Sequence, residues 1–266
     1  MHSVSAPDYP LADAWRETRR VLRVGSVLLH IGTGFVLAVA TGALLRPHAP
    51  LPRRATHWWL TRLTRILGLD IVVAGTLPDR AALWVSNHVS WLDIPVLGAV
   101  TPMHFLSKAE VAGWPLIGRL ATAGGTLYIR RGHGQVHQRA KDIAAHIDAG
   151  RAIAVFPEGT TTDGSAVRSF HPPLFRVATD EGRPLQPVAI RYPHADGGTH
   201  PAAPFIGDDE FHVHLWRLLR EDRVRVEVTL LPLRVPGRDA PACPRELADQ
   251  VRAEVGVQLA AQLAWR

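Results

Sequence analysis

The sequence predicts an α/β fold, a largely parallel or mixed sheet flanked by helices, preceded by an N-terminal membrane-associated helical segment. Three observations predict it. From Ile71 onward short apolar runs alternate with helix-length spans, the order of a sheet with crossover helices. Runs such as Ala152 to Val155 are apolar at every position rather than at alternate ones, as strands covered on both faces are. Ahead of them lie 22 residues without a charge, Val24 to Leu45. At 266 residues, this divides the chain into membrane-associated helices over 1–69 and one folded domain over 70–266, enough for a single sizeable core.

The N-terminal segment comes first. A span of 22 residues can cross a bilayer core, which needs about 20. Four glycines, two threonines and His30 dilute its hydropathy, so crossing the membrane, lying in it, or packing as a core helix all remain open. Arg16, Arg19, Arg20 and Arg23 precede it and Arg46, Arg53 and Arg54 follow, so the positive-inside rule does not orient it. Within residues 56–67, Trp58, Trp59, Leu63, Ile66 and Leu67 recur at near-helical spacing with Arg62 and Arg65 between them. This is the pattern of a helix lying in the headgroup layer. Residues 1–70 hold nine Arg against four acids, so +5 of the chain's +6 sits in this quarter. Only two Lys occur, Lys108 and Lys141, and no aromatic-basic groove pattern accompanies the charge. The expected partner is therefore a lipid surface, not nucleic acid. A signal peptide fits poorly, because the basic region begins late and no single cleavage site stands out. The one cysteine, Cys243, excludes an internal disulfide and fits a reducing compartment. The expectation is an inner or cytoplasmic membrane, with the folded domain facing the cytoplasm.

After residue 70, apolar runs place strands at 71–74, 82–86, 103–107, 126–130, 152–156, 186–192 and 224–230. Helices fill the spans 92–99, 115–121, 134–148, 170–179 and 245–264. Pro and Gly mark the joints, among them Pro78, Pro102, Gly113, Gly150 and Pro193. Pro, Gly, His and acidic residues make 193–210 a surface loop. Fourteen histidines are dispersed without a ligand-spaced set, so no metal site is expected. His212 and His214, alternating in Phe-His-Val-His, read as sharing a strand face. Gly132 and Gly134 do not form a dinucleotide fingerprint.

A sheet of this kind carries its active groups on the loops at strand C-terminal ends. His88 follows the 82–86 strand and Glu158 follows the 152–156 strand. Imidazole can take a proton from an alcohol near neutral pH, and a carboxylate on its second nitrogen fixes the tautomer. Asp93, five residues after His88, is not stacked with it on a helix. The two can meet if His88 ends the strand and Asp93 opens the next helix, a start that Pro95 supports. Ser90 and Asp93 equally fit a helix-capping box.

His88-x-x-x-x-Asp93 resembles the first motif of the glycerolipid acyltransferases, the 1-acylglycerol-3-phosphate acyltransferases and their relatives. The later blocks fall in the family's order: Gly125 to Arg130, Phe156 to Thr160, and Gln186 to Ile190. Phe105 to Glu110 and Trp114 to Gly118 resemble its linking region. The likeness spans about residues 70 to 195. It implies transfer of a fatty acyl group from acyl-CoA or acyl carrier protein to the free hydroxyl of a lysolipid, with His88 as base and Asp93 orienting it. No bound cofactor and no protein nucleophile are implied, and a Gly-x-Ser-x-Gly elbow is missing. Trp91 and Trp114 are expected to pack the core or the acyl channel. Glu158, Gly159, Thr160 and Thr161 are implied acceptor-binding positions. Lys108 and Arg130, with Arg131 beside it, are candidate anion clamps. The pattern departs in one place: phosphate-acceptor members continue the third block with Arg, where this chain has Thr161. Arg168, seven residues on, is the candidate replacement. The run Glu158-Gly159-Thr160-Thr161, followed by Asp163-Gly164, is similar to the lyso-ornithine lipid acyltransferases, whose acceptor carries an amino-acid head group. The resemblance thus implies 1-acylglycerol-3-phosphate as acceptor, giving phosphatidate, with lyso-ornithine lipid the alternative. A thioesterase-like hydrolase or a non-catalytic membrane-binding module are the other readings.

Overall fold

The computed structural model describes residues 10–129, 136–237 and 241–264. Seven strands form one sheet: β1 (Leu69–Ala74), β2 (Leu83–Ser86), β3 (Met103–Lys108), β4 (Leu127–Ile129), β5 (Ala152–Val155), β6 (Leu185–Arg191) and β7 (Val224–Leu230). Their spatial order is β1-β7-β6-β2-β5-β3-β4. Every neighbouring pair is parallel except β6 with β7. The sheet is mixed and helix-flanked, as the sequence predicts.

Adjacent residues of β2 supply two different cores, because successive strand side chains point to opposite faces. Trp84 packs with Val96, Leu97 and Ile190, whereas Leu83 and Val85 pack with Ile143, Ile153 and Val251. The helices that cover these faces are α1 (Pro10–Ala40), α2 (Pro50–Leu67), α3 (Asp93–Val100), α4 (Ile117–Ala123), α5 (Val136–Asp148), α6 (Arg176–Thr179), α7 (Phe211–Leu218) and α8 (Pro244–Ala264). In α8, Leu247, Val251, Val255 and Leu259 repeat every four residues and form its buried stripe.

Two elements differ from the sequence reading. The span 170–179 is a 3₁₀ turn, Pro172–Phe175, followed by the single α-helical turn of α6, because two consecutive prolines remove two helix donors. Phe-His-Val-His begins α7 and is not a strand: His214 and Leu218, one turn apart, are buried while His212 is exposed. The two histidines therefore lie on different faces.

The N-terminal helices share the first core. Leu60 and Leu67 of α2 and Val27 of α1 belong to the cluster that holds Trp84. Gly98 lets α2 approach α3 closely, since a Cβ there would stand 2.3 Å from Leu60 Cδ1. The indole N–H of Trp59 donates to the His30 carbonyl at 2.9 Å and the two rings stack at 4.7 Å, riveting α1 to α2. Two of the arginines before the uncharged run face protein: Arg20 lies 3.4 Å over the Trp216 ring, and Arg23 donates to the carbonyls of Glu221 and Asp222. The opposite face of α1 exposes Leu22, Leu28, Leu29, Val36 and Val39. Its stretch Glu17–Ala40 is long and apolar enough to cross a membrane.

Asn87 extends the pairing of β2 with β6 one step past the strand. Its side-chain amide donates to the Ile190 carbonyl at 2.9 Å and accepts the Ile190 N–H at 2.8 Å. Replacing it with Leu strands both backbone groups in a buried place, each costing about 1–3 kcal/mol. Asn87→Leu is expected to lower unfolding free energy by roughly 2–6 kcal/mol in denaturant titration; a loss under about 0.5 kcal/mol would contradict that role.

Candidate active site

Three neighbouring strands, in the order β6-β2-β5, run parallel, and the residues just beyond their C-terminal ends converge: Tyr192 after β6, His88 after β2, and Phe156 to Glu158 after β5. His88 Nδ1 lies 2.7 Å from Asp93 Oδ2. An ionised carboxylate only accepts, so Nδ1 carries the proton, and in the neutral ring the lone pair is at Nε2. Asp93 is 0% exposed and opens α3. Its Oδ2 turns back and accepts the N–H groups of Val89 (2.8 Å) and Ser90 (3.0 Å); the Ser90 bond is one half of the capping box, and the other half is missing because the Ser90 hydroxyl is buried without a partner. The Tyr192 hydroxyl donates to Oδ1 at 2.6 Å.

His88 is also fixed through its backbone. Its N–H donates to Glu158 Oε1 at 2.7 Å, and its carbonyl accepts from Thr162 N–H at 2.8 Å. The ring stacks on Phe156, centroids 4.0 Å apart and planes 11° from parallel. Glu158 Oε2 accepts the Arg168 N–H at 2.9 Å, so this carboxylate staples two loops. Burial holds its proton affinity above the ordinary carboxylate value, and the two N–H groups offset only part of that. Stability gained by protonating it is fully present below the unfolded carboxylate value and is lost as pH rises through the raised folded value. Gly159 turns the chain with φ of 70°, a left-handed conformation that leaves room beside the staple. Burial and the adjacent Asp93 charge push the Tyr192 phenol well above its usual range, so it stays a proton donor.

A cavity of about 1450 Å³ opens from His88. It passes Trp91 and Phe156 and runs between the N-terminal helices (Leu37, Trp59, Leu63) and the Val111–Leu120 region, with Trp114 on its wall. Its apolar volume suits a fatty chain. Lys108, Glu158, Gly159, Thr160 and Thr161 all line it. The Thr161 hydroxyl donates to the Phe205 carbonyl, tying the third block to the loop before α7. Arg168 does not line the cavity: it is exposed, and what it brings to the site is its backbone N–H. Arg130 and Arg131 lie outside the described residues. Sequence reasoning missed Tyr192, Asn87, Phe156 and Thr162. Only the third-block resemblance pointed near Phe156, and no local pattern marks Tyr192.

A histidine paired with a buried carboxylate thus lies on the wall of a lipid-sized cavity. Residues 70–191 match the family described as Acyltransferase. The lyso-ornithine lipid O-acyltransferase of Pseudomonas aeruginosa is 48% identical over 204 residues, 76% of this chain and 79% of that protein. The 1-acyl-sn-glycerol-3-phosphate acyltransferase of Neisseria meningitidis is 28% identical over 192 residues, 71% of this chain and 75% of that protein. The crystal structure of the 1-acyl-sn-glycerophosphate acyltransferase of Thermotoga maritima shares the fold, with TM-score 0.62 at 20% identity, covering 92% of this chain and 98% of that one. The chain belongs to the acyltransferase family.

Glu158→Gln tests the staple. A carboxamide offers one acceptor oxygen to two N–H donors, yet relieves the burial of a charge. Transfer is expected to fall about tenfold or more while the thermal midpoint moves by only a few degrees. Unimpaired transfer would contradict the staple's role.

Proposed function

We propose that this chain transfers a fatty acyl group from a thioester, acyl-CoA or acyl carrier protein, to the free hydroxyl of lyso-ornithine lipid, at the cytoplasmic face of a bacterial inner membrane. The observation that carries the reading is the imidazole whose Nδ1 proton is committed to buried Asp93, on a residue that also lines the apolar cavity. In this reading residues 1–69 seat the enzyme on the membrane through the exposed apolar face of α1, and residues 70–266 carry the chemistry.

The acceptor O–H gives its proton to His88 Nε2 as its oxygen attacks the thioester carbonyl. A C–O bond forms and the carbonyl electrons move onto oxygen. The tetrahedral intermediate collapses, the C–S bond breaks, and the thiolate recovers the proton from the imidazolium. No group on the protein is acylated. Asp93 steadies the imidazolium without taking its proton. The apolar cavity excludes water, which would otherwise divert the thioester to free fatty acid.

Two observations support an amino-acid head group. Position 161 carries a hydroxyl committed to the Phe205 carbonyl, not a guanidinium that could grip a phosphate. The Pseudomonas relative, at 48% identity, acts on lyso-ornithine lipid. Lys108 on the cavity wall suits the carboxylate of such a head group. It suits a phosphate as well, and this is what favours 1-acylglycerol-3-phosphate as the second reading.

A membrane-fraction assay with labelled acyl-CoA or acyl carrier protein, offering either lysolipid, tests both points. Lyso-ornithine lipid is expected to be the better acceptor, and His88→Ala to lose about 10²- to 10⁴-fold of transfer. Thr161→Arg is expected to raise use of the phosphate acceptor. An unchanged rate in His88→Ala would overturn the mechanism; preference of the unaltered enzyme for 1-acylglycerol-3-phosphate would overturn the choice of acceptor.

A further inference from the structure

We infer that Tyr192 is a positioning residue for acyl transfer: its hydroxyl holds Oδ1 of Asp93 and thereby keeps the His88 imidazole aimed at the acceptor hydroxyl. The inference rests on the reading of His88 as the base and adds a third side chain to it.

The two oxygens of Asp93 are served unequally. Oδ2 receives His88 Nδ1–H and the N–H groups of Val89 and Ser90, all from the loop just before it. Oδ1 receives Tyr192, 99 residues further along the chain. Both side chains are fully buried, so water cannot stand in for the phenol. Neither does the hydroxyl of Ser90, which makes no hydrogen bond although its N–H serves the same carboxylate. A carboxylate pinned at one oxygen alone can swing about its own axis, and the imidazole it holds would swing with it.

The register of the sheet brings this donor to the site. Ser86 pairs with Val188, and the Asn87 amide then grips both backbone groups of Ile190. Tyr192 therefore stands at a fixed step beyond β2, beside the start of α3. Its ring fills the core with Trp84 and Leu97, while only its hydroxyl faces the carboxylate. Tyr192 does not line the cavity, so an effect on transfer must pass through Asp93 and not through substrate contact. The hydroxyl also draws negative charge from the carboxylate. Without it more of that charge bears on His88 and favours the imidazolium, which is the wrong form for a base.

The test is the pH dependence of kcat/KM for transfer from acyl-CoA to the preferred lysolipid, in the full-length enzyme, for Tyr192→Phe, for 3-fluorotyrosine at position 192, and for His88→Ala. Tyr192→Phe keeps the ring and its packing. It is expected to lose about tenfold in kcat at neutral pH, since hydrogen bonds to charged groups are among the stronger ones. KM for the acceptor should stay within about twofold, the pattern of a lost transition-state interaction, and the acid limb of the profile should move to higher pH. Fluorotyrosine donates more strongly at nearly unchanged shape and should move that limb to lower pH, which keeps the question open to test should the Phe variant fold poorly. Superimposable profiles, or a uniform loss at every pH with fluorotyrosine silent, would overturn the inference while leaving an inactive His88→Ala intact. Full activity in His88→Ala would overturn the base itself, and this inference with it.

Discussion

A charge buried completely out of water organises this molecule. Asp93 is 0% exposed, and an unpaired carboxylate in such a place would cost several kcal/mol. It is tolerated because four donors converge on it: one imidazole, two backbone amides and one phenol. Each donor comes at a structural condition. The amides require the loop after β2 to double back over the first turn of α3, and the phenol requires β6 to lie beside β2 in a single register. The strand order β6-β2-β5, with parallel neighbours, satisfies these conditions and in the same stroke delivers Glu158 from β5. The geometry of the candidate site and the fold are thus specified by the same hydrogen bonds.

The N-terminal helices are packed into the protein and not merely appended to it. Their inner faces share a core with α3, and they wall the cavity that begins at His88. Arginines that in isolation suit lipid phosphates are partly spent on α7 and the turn before β7. From Val21 to Val39 the large side chains that α1 leaves outward are apolar. In the proposed account, a lysolipid resting in the bilayer meets the base through a passage built by the same helices that seat the enzyme there.

Much of the fold was legible because buried parallel strands such as β2 and β5 advertise themselves as unbroken apolar runs, while β7 shows itself by alternation, and all seven strands overlap the spans the sequence placed them in. Short elements were harder. In α7 the alternation of His212 and His214 imitates a strand over four residues, and only the burial of His214 with Leu218 reveals a helical period. At 170–179 the apolar periodicity outweighed the Pro172-Pro173 pair that breaks it. The site divides in the same way. His88 and Asp93 are five residues apart and could be paired from spacing and chemistry. Tyr192 could not, because nothing local distinguishes it from a core aromatic; its role depends on strand register, which the sequence does not print. Arg168 illustrates the opposite failing, a cation chosen for its type whose side chain stands away from the cavity.

The central claim is that the buried carboxylate holds His88 as one tautomer, protonated at Nδ1 and bare at Nε2. Nitrogen NMR of histidine-labelled enzyme, with His88 assigned by its loss in a substituted protein, reads this directly. The account predicts that the neutral ring carries its proton on Nδ1, and a shift toward the other tautomer when Asp93 is replaced by Asn. A ring protonated at Nε2 in the unaltered enzyme, or one indifferent to Asp93, would contradict it.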